Sequence, residues 1–252
     1  MKTIVIIPAR LHSSRLPKKV ILDINNKPMI QHVFEASKKA KGIFDVFIAT
    51  DSKEVEDVCK TFTNNIIMTS SKHQSGTDRL AEAIQHIECD NIINVQGDEP
   101  LIDPNLITQL ASLLQTQQHQ MVSAMHTIKT IQDLKSPNSV KVTIDKNSNA
   151  LYFSRSIIPH HRDDWEALLH HHTTIPKPLT FYKHIGIYGY QKEFLLHYAT
   201  MEPTYLEKLE KLEQLRVLEN GYKIKMLLTD YEPIGVDTLD DLQQVRRKIN
   251  AQ

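Results

Sequence analysis

The chain has 252 residues, 40% of them hydrophobic and 24% charged, with 30 lysines and arginines set against 30 aspartates and glutamates. That length supports one large core or a core with a smaller appendage, and a formal net charge of zero argues against nucleic acid or an acidic membrane as partner. Two cysteines, Cys59 and Cys89, sit in apolar or helical patterns and read as reduced core residues of a cytosolic protein, and no apolar run reaches a membrane span, so a soluble, unprocessed chain without membrane insertion is expected.

The first element is a continuous β-branched run, Ile4, Val5, Ile6 and Ile7, the pattern of a central strand buried on both faces of a parallel sheet. Pro8 is expected to end it, because proline has no N–H to give the ladder. The loop that follows carries Arg10, Arg15, Lys18 and Lys19 around Ser13 and Ser14, four cations within ten residues. Open α/β sheets bind ligands at the carboxyl ends of their strands, so this loop reads as a polyphosphate cradle rather than a solvated basic loop.

Asn26 and Pro28 mark a helix start, with Met29, Ile30, Val33 and Phe34 on one face and Gly42 as the stop. Residues 46–50 form the second strand. Asp51 is placed to cap the next helix with Glu54 at the capping-box position, and Val55, Val58, Cys59 and Phe62 fall at helical spacing. Residues 65–68 make a short strand, and Ser75 to Arg79 (SGTDR) opens a helix with Leu80, Ile84 and Ile87 inside. Residues 91–95 are another buried strand, ending in QGDEP; Asp103 and Pro104 are an N-cap and first-turn pair before Leu106, Ile107, Leu110, Leu113 and Leu114. This alternation predicts an α/β fold with a mostly parallel central sheet and helices on both faces.

After a core strand at 121–126 the character changes. Residues 140–144 and 150–153, separated by a turn cluster, read as an antiparallel hairpin. The stretch 158–178, rich in proline and histidine, reads as a long loop without its own elements. His160, His161, His170, His171 and His172 match no closed tetrahedral zinc spacing, which favours a surface loop over a metal site. Residues 183–190 return to strand. Thr204 and Glu207 form a capping box for a single helix carrying Leu206, Leu209, Leu212 and Leu215 up to Gly221. A strand at 223–228 and a last helix capped by Thr238, with Asp241 three residues on, complete the chain.

Two acidic positions stand out. Asp98 ends a buried strand on the same rim as Arg10 and Arg15, with Gly97 expected to admit a ligand to the backbone and Gln96 to bond a nucleotide or sugar hydroxyl. Asp237, in IGVDT, precedes the last helix. Each alone is most simply a cap, but together they suggest a shared Mg²⁺, which is commonly held by one or two carboxylates plus substrate phosphates. The sequence has no GxGxxG, no P-loop and no D-x-D, which counts against dinucleotide, P-loop and common glycosyltransferase chemistry.

The blocks IPARLHSSRLPKK, NKPMIQHV, ATD, SGTDR, NVQGDEPLI, KVTID, ALYFSRSIIP, KHIGIYGY, LEKLEQLRVLENGYKI and GVDT, in this order, resemble the 3-deoxy-manno-octulosonate (Kdo) cytidylyltransferase family over nearly the whole chain. The resemblance implies a nucleotide-diphospho-sugar transferase fold and a Mg²⁺-dependent reaction of CTP with Kdo to CMP-Kdo and pyrophosphate. It also implies a cytoplasmic homodimer serving lipopolysaccharide synthesis. Residues 1–126 and 205–252 would be the nucleotide-binding core, and 127–204 a strand-rich sugar-binding and dimerisation segment.

Carried onto this chain, Arg10, Arg15 and Lys19 would hold the triphosphate and stabilise departing pyrophosphate. Ala9, Ser14, Ser75, Gly76, Thr77, Asp78, Arg79 and Gln96 would surround the nucleotide, and Gln96 also matches a position beside the sugar acid. Arg155, His184, Tyr188, Glu213 and Gln214 would bind that acid, and Asp98 and Asp237 the Mg²⁺. The chain departs from the family's pattern at Lys18 and Asn26, where the family has glycine, and at Val20 and Ile157, where it has proline; altered loop rigidity is expected, not altered chemistry. Another 2-keto sugar acid as substrate, such as a sialic acid or 8-amino-Kdo, and a non-catalytic CTP-binding protein are the alternatives.

Overall fold

The computed structural model describes residues 1–11, 16–73 and 75–250, so Ser13, Ser14 and Arg15 lie outside the described residues. The first half runs β1 (Thr3–Ala9), a 3₁₀ turn (Lys19–Ile21), a two-residue ribbon of β2 (Asp23–Ile24) and β3 (Lys27–Pro28), α1 (Met29–Lys38), β4 (Asp45–Thr50), α2 (Lys53–Cys59), β5 (Ile66–Met68), α3 (Gly76–Ile84), β6 (Asn91–Asn94), α4 (Pro104–Gln115) and β7 (Met121–Thr127). The second half runs α5 (Ile131–Lys135), β8 (Lys141–Ile144), β9 (Ala150–Ser154), α6 (Trp165–His171), β10 (Tyr182–Gln191), α7 (Lys192–Thr200), α8 (Tyr205–Glu210), α9 (Gln214–Glu219), β11 (Ile224–Leu228) and α10 (Leu239–Asn250).

One twisted sheet dominates, in the order β11-β7-β10-β6-β1-β4-β5, with β8 pairing β10 and β9 pairing β8. β1 is central and parallel to both neighbours, as its apolar run requires. Val5, Ile7 and Ala9 face the layer of α1 and α4, while Ile4 and Ile6 face the layer of α3 and α7. β10 runs antiparallel to both β6 and β7, so a strand from within residues 127–204 sits in the middle of the main sheet. A third cluster joins Met29 at the start of α1 to Val236, Leu242 and Val245, and it returns the C-terminal segment to the rim of β1.

Several local expectations are corrected. β1 does not stop at Pro8: its pairing with β6 ends at Ile6, but its pairing with β4 continues through Pro8 to Ala9. Asn25 and Asn26, both at positive φ, turn the β2–β3 ribbon before α1, and Pro28 is the N-cap of that helix. The cap of α2 is Ser52, whose hydroxyl accepts from the Val55 N–H; Asp51 is drawn off by Arg79. The stretch 158–178 holds α6, whose Leu168 packs with Ile128, Ile131, Leu134 and Phe181 while its histidines face outward. The expected single helix after Thr204 is two, α8 and α9, because Lys211 is left-handed at φ 56°, ψ 47°. The capping boxes at Ser75 and Thr204 and the Asp103–Pro104 start of α4 form as the sequence predicts.

Candidate active site

The rim of β1 gathers charge from three distant parts of the chain. Lys18 is left-handed at φ 57°, ψ 26°, and it turns the chain into the 3₁₀ turn that begins with Lys19. Lys19 Nζ donates to Asp98 Oδ2 at 2.6 Å and to Asp237 Oδ1 at 2.9 Å. The Val236 N–H donates to the Asp98 carbonyl at 2.9 Å, which holds the segment carrying Asp237 against the loop after β6. Burial alone would depress the Lys19 ammonium, but the two carboxylates outweigh it and hold its pKa above the ordinary 10.5. Glu99, next along, is buried; burial and then the charge of Asp98 push its carboxyl up to about 8, so it is neutral at pH 7.

Gly97 is needed here for packing. A Cβ on it would stand 2.9 Å from the Pro8 carbonyl oxygen and 3.2 Å from Ile30 Cδ1, so only glycine lets this loop lie against the end of β1. Ala9 is fully buried beside it. The Arg10 guanidinium has a buried Nη2 with no hydrogen-bond partner among the described residues.

A cavity of ≈ 190 Å³ is walled by Gly76, Thr77, Gln96, Tyr188, Glu213 and Gln214, joined by Asn94, Met121, Tyr190 and Tyr198. Gln96 Nε2 donates to the Gly186 carbonyl at 3.2 Å, Thr77 Oγ1 to Glu213 Oε2 at 3.1 Å, and Tyr198 Oη to the Glu213 carbonyl at 2.7 Å. Burial and then the Glu213 carboxylate raise the Tyr188 phenol far above its ordinary 10, so it is a neutral donor. Glu213 also borders a larger cavity of ≈ 670 Å³ with Ser75, Asp78, Lys208, Lys211 and Arg216.

Other expected site residues are placed differently. Ser75 and Asp78 bond each other's backbone N–H in the capping box of α3. The Arg79 side chain is fully buried, donating to Thr69 Oγ1 and, at 2.7 Å, to Asp51 Oδ2; it ties the start of α3 to the ends of β4 and β5 rather than facing the cavity. His184 lies behind Tyr188, with ring centres 5.3 Å apart; its Nε2 is 2.9 Å from Ser123 Oγ, and burial pushes its pKa down to about 3, so the ring is neutral. Arg155 donates to the carbonyls of Glu210 and Pro137 at 2.8 and 3.0 Å and is not in the wall of the smaller cavity. Sequence reasoning missed Asn94, Tyr190 and Tyr198 in the cavity wall, and Asp51 and Thr69 behind it. Asn94 alone had a signal, as one of two polar residues, with Asn91, that bracket the apolar pair Ile92 and Ile93 in a buried strand.

The Asp98 and Asp237 side chains, 30% and 40% exposed, present oxygen donors on an open rim, which fits a hard cation completed by water and phosphate. Among the described residues no group of three or more histidine, cysteine, aspartate or glutamate side chains could form a closed site.

A family model described as cytidylyltransferase matches residues 4–224. The 3-deoxy-manno-octulosonate cytidylyltransferase of Geotalea uraniireducens is 48% identical over 250 residues, covering 99% of each chain. The chain belongs to the 3-deoxy-manno-octulosonate cytidylyltransferase family. A relative of the same name from Francisella tularensis subsp. novicida is 47% identical over 98% of both chains. The solved CMP:2-keto-3-deoxy-manno-octonic acid synthetase complexed with CTP matches with a TM-score of 0.91 and 37% identity, covering 100% of this chain and 99% of that one. The matched span runs from β1 into β11, and the relatives' match extends on through the C-terminal segment that brings Asp237 to the rim.

Proposed function

We propose that the protein transfers CMP from CTP to the anomeric 2-hydroxyl of Kdo and releases pyrophosphate, supplying CMP-Kdo for lipopolysaccharide synthesis. The carrying observation is the convergence of Lys19, Asp98 and Asp237 on the β1 rim, which also bears Gln96 of the polar cavity wall, in a chain 48% identical over nearly its full length to a Kdo cytidylyltransferase. Arg10 and Lys19, with Arg15, hold the triphosphate and offset the charge that moves onto pyrophosphate. Gly76 and Thr77 at the start of α3, with Ser75 and Asp78 beside them, contribute to the nucleotide side. Gln96, Tyr188, Glu213 and Gln214 orient the sugar acid, and His184 supports Tyr188 from behind. Attack is in line: the bond from the 2-oxygen to the α-phosphorus forms, the bond from that phosphorus to the bridging oxygen breaks, and the hydroxyl proton leaves to solvent. No protein nucleophile takes part.

Asp98 and Asp237 are the residues that would hold Mg²⁺, which when bound neutralises phosphate charge and makes the attacking hydroxyl more acidic. No helix among the described residues is long and apolar enough to cross a membrane, and two buried thiols, Cys59 and Cys89, are unpaired, which supports a cytoplasmic enzyme. A homodimer is supported by exposed Leu151 on β9, and by Tyr205 and Leu209 on α8, beside a strand whose one partner in the sheet is β8.

Pyrophosphate release from CTP and Mg²⁺, measured with Kdo and N-acetylneuraminate in parallel, tests this. Release with Kdo alone is expected, with Asp98→Ala or Asp237→Ala cutting it by roughly a hundredfold or more. Release with neither acid overturns the assignment, and release with N-acetylneuraminate alone reassigns the acceptor.

A further inference from the structure

Lys19 does not extend toward solvent as a lysine awaiting phosphate would. Its Nζ spans Asp98 Oδ2 and Asp237 Oδ1 at 2.6 and 2.9 Å, and its side chain is only 12% exposed. Each oxygen belongs to a carboxylate that the site offers to a divalent cation. An ammonium and a divalent cation cannot share them at ligand distance without strong cation–cation repulsion.

We propose that Lys19 is a displaceable stand-in cation: it keeps Asp98 and Asp237 converged before the divalent cation binds, and it yields them as its own ammonium passes to the triphosphate. This rests on the assignment of Asp98 and Asp237 as the Mg²⁺ pair. Charge supports the exchange. Withdrawing Lys19 removes one positive charge from beside the pair, which strengthens its attraction for a divalent ion. The nucleotide supplies the reason to withdraw, because its phosphates offer the ammonium a second set of anionic oxygens on the same rim as Arg10. A lysine can make that move by rotating its four-carbon stem, with the backbone held by the 3₁₀ turn. Metal and nucleotide therefore bind synergistically, and the free enzyme does not load metal in advance.

The test is Mn²⁺ binding to the full chain, followed by the electron paramagnetic resonance of free Mn²⁺, with and without CTP and corrected for chelation by CTP. Lys19→Met is expected to bind Mn²⁺ without nucleotide roughly tenfold more tightly than the unaltered protein and to lose most of the gain that CTP confers. Lys19→Arg, which keeps the charge, should stay weak without nucleotide. Lys19→Gln replaces the methionine variant if that one does not fold, and the melting temperature with and without Mn²⁺ gives a second readout in the same direction. Equal Mn²⁺ affinity of the unaltered protein and the uncharged variants, with Asp98→Asn still abolishing binding in the presence of CTP, overturns the stand-in role and leaves the metal pair intact. Mn²⁺ binding that survives Asp98→Asn and Asp237→Asn overturns the pair itself, and the proposal with it.

Discussion

Lys18 and Asn26 occupy positions where the family's pattern has glycine, and both are left-handed here, at φ 57° and 65°. The backbone geometry that favours glycine is therefore kept. Asparagine tolerates it through local polar bonding, and Lys18, a costlier choice by about 1 kcal/mol, is tied down by its Nζ at 2.6 Å from Glu54 Oε1. Lys18 leads directly into the turn whose Lys19 reaches Asp98 and Asp237, so the left-handed step is kept where the site depends on it. His184 makes a further prediction at this scale. Its native pKa of about 3 lies below the ordinary 6.5, so between those values the unfolded chain takes up a proton that the native protein does not. Stability should fall as pH drops through that window, by at most about 1.4 kcal/mol per unit, and be insensitive to this group above it. Urea unfolding at pH 6.5, 5.5 and 4.5 should show a shallower decline for His184→Gln, with a residual slope from His126, which burial also depresses. An unchanged slope would count against a neutral buried ring.

At the scale of elements, the start of α3 is held from behind. Arg79 reaches under the helix to Asp51 at the end of β4 and Thr69 after β5, and this buried pair sets where Gly76 and Thr77 stand in the cavity wall. The motif SGTDR was legible in the sequence as a capped helix start, but the inward direction of its arginine was not, since periodicity gives the face of a helix and not the partner beneath it. Arg79 is fully buried while Asp51 is 19% exposed, so removing the carboxylate leaves a buried guanidinium uncompensated and lowers stability. Asp51→Asn keeps the shape and loses the charge. It is expected to raise KM for CTP several-fold with a smaller change in kcat, and to lower the melting temperature; an unchanged KM in steady-state kinetics would show that the pair merely stabilises the fold. The α8–α9 break was illegible for a related reason. Leucines at helical spacing continue across Lys211, and only the packing of Leu212 and Leu215 against the core makes a left-handed residue there acceptable.

At the scale of the whole molecule, β9 lies on the far side of β8, and the exposed apolar side chains Leu151, Tyr205 and Leu209 lie on β9 and α8. If a second copy covers this face, sedimentation equilibrium should give a dimer, and L209E should shift it toward monomer; a dimer unaffected by L209E and L151E together would place the interface elsewhere. The sheet itself shows how far local pattern reaches. The strand at 183–190 could be seen in the sequence, yet its insertion between β6 and β7, antiparallel to both, depends on which edges remain to be paired once the parallel strands are formed.

The sequence by itself determined the order of the main strands and of the helices between them in the first half of the chain, most of the buried faces, the caps at Ser75, Asp103 and Thr204, and the short set of charged residues worth watching. Those features are legible because hydrophobic period and cap chemistry act between residues a few positions apart. Only the tertiary structure decided that Lys19 meets Asp98 and Asp237, 79 and 218 residues further on, that Arg79 turns inward, and that Arg155 is spent on the Glu210 and Pro137 carbonyls. Such pairings are set by the register of the sheet and by the packing of the C-terminal segment on Met29, long-range conditions that no local window of sequence contains.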